Sequence, residues 1–168
     1  SELKADFFPP EEEVIGGSRY DDQANACCQN RIYLYEDGTI GATWTRGVND
    51  AGGYDDRVTG YNYFDGNDWG PAPTAQIEEE RVGWPSYTPW GENGEMVVAH
   101  GSDGLIMSTR PEKGTGDWTF NTLQGPPGHE YIIWNRTITS GVNHSRVHSM
   151  AVTASTVYSG TPFEGLNG

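Results

Sequence analysis

Asn30-Arg31-Ile32-Tyr33-Leu34-Tyr35-Glu36-Asp37-Gly38-Thr39-Ile40-Gly41-Ala42-Thr43-Trp44 is the stretch that decides the fold of this chain. Arg31 to Tyr35 alternates apolar with polar-tipped side chains, the period of two expected of a strand with one covered face. Asp37-Gly38 is a two-residue turn signal, and Thr39 to Trp44 supplies the return strand of a hairpin. The pattern recurs further along the chain. Trp90-Gly91-Glu92-Asn93-Gly94-Glu95-Met96-Val97-Val98-Ala99 repeats it with Asn93-Gly94 at the turn, Gly94 standing 56 residues after Gly38. A looser third copy runs from Asn135-Arg136-Thr137-Ile138 to Val147-His148-Ser149-Met150-Ala151-Val152.

The repeats set the organisation. Residues 1–30 stand outside them. Phe7-Phe8-Pro9-Pro10 followed by Glu11-Glu12-Glu13 reads as an extended arm, stiffened by proline and docked through Phe7 and Phe8. Residues 31–83 form the first unit. Its hairpin is followed by a loop rich in Gly, Asn and Asp (Gly47 to Asp56), a strand from Arg57 to Phe64, and the turn Asp65-Gly66-Asn67-Asp68-Trp69. An edge strand is expected within Pro71 to Ile77, where proline is tolerated. Residues 84–133 repeat that order, with a strand at Leu105 to Thr109, a closing turn at Gly114 to Trp118 and an outer strand at Thr119 to Leu123. Residues 134–168 open a third unit at Trp134, 50 residues after Trp84, and stop in the loop Gly160 to Gly168.

Four short strands in each unit of about 50 residues predict an all-β chain of β-propeller blades, a partial propeller of two and a half to three blades. A β-sandwich ranks second, since it needs no internal self-similarity. Closed propellers take four to eight blades. Either the chain is a piece of a longer protein or several copies complete a ring. The first is preferred, because an incomplete last blade leaves a sheet edge bare.

Composition narrows the function classes. The 168 residues hold 23 Gly and 10 Pro, and no window of a dozen shows the three-and-four apolar spacing of a helix. Ten Lys and Arg against 24 Asp and Glu leave a formal net charge of −14, so neither nucleic acid nor an anionic membrane surface is an expected partner. Such a surface suits a secreted or cell-surface protein. No run of 18 apolar residues predicts a membrane span. The start of the chain does not read as a secretory signal, and Ser1 in place of Met fits processing or a boundary within a longer chain.

The two cysteines, Cys27-Cys28, are adjacent, which excludes a disulfide scaffold. A vicinal disulfide and two separate thiols both stay open. Asn135-Arg136-Thr137 and Asn143-His144-Ser145 match the N-glycosylation pattern. His100, His129, His144 and His148 have no metal-ligand spacing. No cofactor is expected, with calcium in the Asp-rich loop left open although no EF-hand spacing is present.

Asn30-Arg31-Ile32-Tyr33 with Asp37-Gly38-Thr39-Ile40 resembles the opening of sialidases and their BNR (Asp-box) relatives. Those begin with an Arg-Ile-Pro segment, a strand, an Asp-Gly-Thr turn and a second strand leading to another arginine. Here Tyr33 replaces the proline, and Arg46 stands near the place of the second arginine. The turns Asn62 to Trp69 and Ser108 to Trp118 resemble degenerate Asp-boxes, whose usual form is Ser-x-Asp-x-Gly-x-x-Trp. The chain is also similar to secreted and cell-surface propellers of gut and marine bacteria. The resemblance, over residues 30–168, implies the propeller fold and glycan recognition.

Sialidase chemistry, as that resemblance implies, uses three arginines on the substrate carboxylate, an aspartate acid/base and a tyrosine activated by a glutamate. Guanidinium forks suit a carboxylate, and a phenol attacks better beside a carboxylate that takes its proton. Arg31 matches the first carboxylate-binding arginine. Asp50, Asp55 and Asp56 lie in the loop where the acid/base aspartate is sought. The later arginines and the tyrosine–glutamate pair belong to later blades, so the chain alone is expected to be inactive.

Each candidate has a structural alternative. Arg31 and Arg136 can tie the starts of blades, and the aspartates can serve as turn formers. Trp84, Tyr87, Trp90 and Trp134 begin blades and are either core residues or rings that stack on sugars. The expected substrate-binding set is Arg31, Arg46, Trp84, Tyr87, Trp134 and Arg136. Two functions follow: a glycan-recognition module, or the N-terminal part of a sialidase-like hydrolase. An alternative is a structural propeller contacting other surface proteins.

Overall fold

The computed structural model describes residues 12–24 and 29–153. The Phe7-Phe8-Pro9-Pro10 arm, Cys27-Cys28 and the loop Gly160 to Gly168 lie outside the described residues. The chain is all-β, built as three antiparallel sheets that do not close on one another. Sheet A runs β1 (Ile32–Leu34), β2 (Ile40–Arg46), β3 (Val58–Phe64). Sheet B runs β4 (Gly83–Trp90), β5 (Gly94–His100), β6 (Leu105–Arg110), β7 (Thr119–Leu123). Sheet C pairs β8 (Ile132–Ser140) with β9 (Arg146–Thr153).

The opening hairpin forms as its alternation demands, with Ile32 opposite Ala42 and Leu34 opposite Ile40. Its connection is longer than the two residues expected. Tyr35 N–H donates to Thr39 O at 2.9 Å, and Glu36, Asp37 and Gly38 make a three-residue turn with Gly38 at φ +84°, where a Cβ is disfavoured. Asp37 Oδ1 accepts from Thr39 N–H (3.1 Å) and Oγ1 (2.7 Å). The second hairpin also differs from expectation. Gly91, not Gly94, holds the left-handed position at φ +65°, and Gly94 already pairs with Trp90 in the ladder.

Among the described residues only sheet B has four strands. Residues 71–77 form no strand, so sheet A has three, its third extended only by a single bridge from Phe64 to Trp69. The prolines at 71 and 73 explain the difference, since each lacks the N–H that a ladder needs. The turn before Trp69 is as expected: Asp65 Oδ1 accepts from the N–H groups of Asn67 (2.8 Å) and Asp68 (3.0 Å).

The sheets stack in chain order, B between A and C. Tyr87 N–H donates to Asn30 O at 2.8 Å, joining the first strand of B to the start of A. Against A, sheet B turns Tyr87 and Val97, packed with Ile77, Tyr33, Tyr35, Tyr61 and Trp118. Against C it turns Met96, Val98 and Leu105, packed with Trp90, Met107, Ile132 and Val147. Each of these large side chains contributes about 1.5–3 kcal/mol when fully buried. β4 is covered on both faces and carries no charged residue between Gly83 and Trp90. Residues 15–24 cover the far face of sheet A: Asn62 Nδ2 donates to Ile15 O (2.7 Å), and Gln23 exchanges two hydrogen bonds with the backbone of Thr45.

Trp84 and Trp134 repeat one irregularity. Each is left-handed (φ +49° and +53°) at a register shift, between Gly83 and Ser86 in β4 and between Ile133 and Arg136 in β8. A bulged tryptophan at the start of the first strand is thus a feature of the repeat, held against a backbone cost of about 1–3 kcal/mol by the packing around it.

Candidate functional site at the strand-start end

Antiparallel pairing brings the starts of β1, β3, β4 and β8 to one end of the stack, with the ends of β2 and β5. Contacts between sheets fix this alignment. Trp84 N–H donates to Thr45 Oγ1 (3.2 Å), Trp134 N–H to His100 Nδ1 (3.4 Å), and Tyr131 Oη to Gly101 O (3.1 Å). Eight of the nine residues singled out in the sequence belong to this end: Arg31, Arg46, Asp50, Asp55, Asp56, Trp84, Trp134 and Arg136. Tyr87 does not.

Arg31 is half-buried. Its guanidinium donates to Gln23 Oε1 (2.9 Å), Gln29 Oε1 (3.0 Å) and the carbonyl of Gln23. Arg136 Nη1 donates to the carbonyls of Trp134 (3.2 Å) and Asn135 (2.8 Å). Both arginines organise backbone at the start of a first strand. Arg46 ends β2 opposite Val58. Asp50 and Asp55 are exposed in the loop. Asp56 is a turn former: its Oδ2 accepts from Val48 and Asn49 N–H, each at 3.0 Å.

Sequence reasoning passed over Arg57, Arg81 and His100. Buried Arg57 donates from Nε to Val82 O (2.9 Å) and lies over the rings of Trp84 (4.4 Å) and Tyr20 (5.2 Å). Trp84 is therefore the floor beneath a guanidinium, with Nε1 donating to Asp22 O at 3.0 Å, and offers no open face to a sugar. Arg81 donates to the carbonyls of Tyr54 (3.0 Å) and Gly53 (3.1 Å). His100 packs on Trp84 with ring centroids 4.9 Å apart. Burial, then the charges of Arg57 and Arg81, push its pKa down to about 3, so it is neutral at physiological pH. Trp134 is 40% exposed, against 8% for Trp84. A signal was present in the sequence: Arg57 directly precedes the third strand, and Arg81 stands three residues before Trp84.

The expectation that Tyr87 reaches a ligand is corrected. Its side chain is 0% exposed, and its hydroxyl donates to Glu95 Oε2 and lies 2.8 Å from Tyr35 Oη. Fully buried Glu95 also accepts from Tyr61 Oη (2.9 Å), Arg110 Nε (2.5 Å) and Gly114 N–H (3.0 Å). Arg110 lies over Tyr61 (4.8 Å) and Trp118 (4.4 Å). A phenol, a carboxylate and a guanidinium thus meet between sheets A and B, where no sugar reaches them. Desolvation first, and the Glu95 charge second, hold the Tyr61 and Tyr87 hydroxyls far above the usual phenol range, so both stay protonated donors.

Other features narrow further. Asn135, in the first glycosylation pattern, is fully buried and donates to Ser86, Val98 and Thr137, whereas Asn143 is exposed. Among the described residues no group of three or more His, Cys, Asp or Glu is placed to hold a metal. An acidic groove lies between Glu78–Glu80 and Phe120, but Glu78 is occupied by Thr59. No helix of the described residues is long and apolar enough to cross a membrane. No protein-family model matches the chain, and no curated protein or solved structure matches it.

Proposed function

We propose that the three sheets are blades of a sialidase-like, Asp-box propeller and that the strand-start end recognises an anionic glycan outside the cell. One observation carries the reading. Of ten Lys and Arg in a chain of net charge −14, six (Arg19, Arg31, Arg46, Arg57, Arg81 and Arg136) belong to this end, beside exposed Trp134 and the Asp-rich loop. Guanidinium charge with an exposed indole suits a sugar that carries a carboxylate. Arg31, Arg57, Arg81 and Arg136 already donate to protein oxygens and contribute positive field. The Arg46 fork is therefore the candidate partner of the acid, and the indole covers an apolar sugar face. Within a longer chain the same end would open a hydrolase site, with the remaining arginines and the nucleophile supplied from elsewhere.

The test is binding of sialylated, sulfated and neutral oligosaccharides to the 168-residue chain, followed by calorimetry on any that bind. Arg46→Ala and Trp134→Ala should each weaken an anionic glycan about tenfold, near 1.4 kcal/mol, with the fold intact by circular dichroism. Binding unchanged in both variants removes this end from recognition. A second reading, a protein-interaction module, is favoured by the exposed apolar side chains on the outer face of sheet C.

A further inference from the structure

That outer face repeats, uncovered, a surface that is covered elsewhere. In sheet B, Ser86 and Thr88 of β4 face sheet C, opposite Val98 and Met96 of β5. Fifty residues on, Arg136 and Ile138 of β8 take the same places, opposite Met150 and His148 of β9. The former set is buried under β8. In the latter, Ile138 is 54% exposed and Met150 74%.

Sheet A is open in the complementary way. Tyr33 and Tyr35 face sheet B, so Ile32 and Leu34 face the other side, where they are 62% and 66% exposed. The rest of that side is already covered, because residues 15–17 lie against Trp44 and Asn62. Among the described residues, what remains bare on sheet A is its first strand. First strands are what dock on the preceding sheet, as β8 does on β4 through Thr137–Ser86 and Thr139–Thr88.

We infer that a second copy of this chain lays its β1 on the outer face of sheet C, Ile32 and Leu34 against Ile138 and Met150. This rests on the blade reading above but not on glycan binding. Charge agrees with it. The receiving face carries Arg136 and Arg146, while the incoming hairpin carries exposed Glu36 beside Leu34. The contact joins unlike surfaces, so each copy offers one of each. With the three sheets of the described residues, two copies joined by two such contacts bring six sheets into a ring, within the four to eight that propellers use.

Sedimentation equilibrium of the 168-residue chain tests this directly. Twice the 18.4 kDa chain mass is expected. Ile138→Asp and Leu34→Asp, each on an exposed side chain, should separately give folded monomers. Mixing the two variants should restore one contact per pair, detected as a dimer that neither forms alone. A wild-type chain that stays monomeric overturns the second copy and leaves this face to further sheets of a longer chain. A dimer broken by Ile138→Asp but not by Leu34→Asp also overturns it, because the contact is then between like faces.

Discussion

The two interfaces of sheet B solve the same packing problem with opposite chemistry. Against sheet A it buries charge: Glu95 and Arg110, with the hydroxyls of Tyr61 and Tyr87 on one carboxylate and that of Tyr35 on the Tyr87 hydroxyl. Glu78 is a second buried carboxylate on that side. Against sheet C it buries no ionised pair. Short hydroxyls and one amide (Ser86, Thr88, Asn135, Thr137, Thr139) stitch β4 to β8 around Met96, Val98 and Leu105. A charged network in low dielectric stands only while every member is present, whereas neutral hydrogen bonds fail one at a time. The A–B junction is therefore specific and brittle, and the B–C junction tolerant. Gly41 shows how tight the first is: a Cβ there would stand 1.8 Å from the Tyr87 hydroxyl.

Removing the hub breaks this contrast most severely. Glu95→Ala leaves Arg110 buried without its carboxylate and deprives two phenols and Gly114 N–H of an acceptor. A loss of about 3–5 kcal/mol is expected in urea denaturation. Replacing both charges with apolar residues, E95L/R110M, should cost less than E95L alone. A double variant worse than the single would mean that the ion pair itself, not its completeness, holds the junction.

The second buried carboxylate gives a pH-dependent test. Burial raises the Glu78 pKa to about 7, against hydrogen bonds from Thr59 that lower it. A raised folded-state value means the group favours folding below its unfolded pKa, near 4.5, and that this contribution is lost as pH rises through about 7. Glu78→Gln removes the titration. The variant should match wild type at pH 4.5 and exceed it at pH 8 by up to about 3 kcal/mol, the free-energy equivalent of moving the carboxyl from 4.5 to about 7. An equal difference at both pH values would show that Glu78 is ionised throughout in the folded protein.

Much of this fold was legible because strands announce themselves locally. The hairpins, the third strands, the Trp69 turn and the outer strand Thr119–Leu123 follow from alternation and turn residues. The supposed strand at 71–77 failed where one weak pattern met two prolines. The candidate site was half legible. Arg31 and Trp134 stood out as blade starts, and Asp56 behaves as the turn former its context suggested. Arg57 and Arg81 stand beside strand starts in the sequence and His100 is weighed there only as a metal ligand, because nothing local says that the three converge. They meet only when the end of β5 comes beside the start of β3. Tyr87 misled for a related reason: position in the repeat identifies the strand, but which face a residue takes depends on the bulge at Trp84.

A milder change within the brittle junction sharpens its ranking. Tyr87→Phe keeps the ring and removes the hydroxyl between Tyr35 and Glu95, while Tyr61 and Arg110 still hold the carboxylate. A hydrogen bond to a charged group contributes about 1.5–3 kcal/mol, and that is the expected loss in urea denaturation. A change below 0.5 kcal/mol, on the order of measurement error for a surface substitution, would show that the phenol is not part of the network's support.

The smallest effect belongs to the tolerant junction. Thr139 Oγ1 donates to Pro89 O at 2.6 Å and lies 2.8 Å from Thr88 Oγ1, on a residue only half-buried. Thr139→Val preserves shape and β-strand preference and takes one donor from the carbonyl of buried Pro89. A loss of about 1 kcal/mol is expected, from one neutral hydrogen bond on a half-buried side chain. The same denaturation experiment, run beside Tyr87→Phe, decides the comparison. If Thr139→Val costs more, the hydroxyl stitch carries the stack and the charged hub is secondary. If it costs less, as burial and charge require, the order of the two junctions stands.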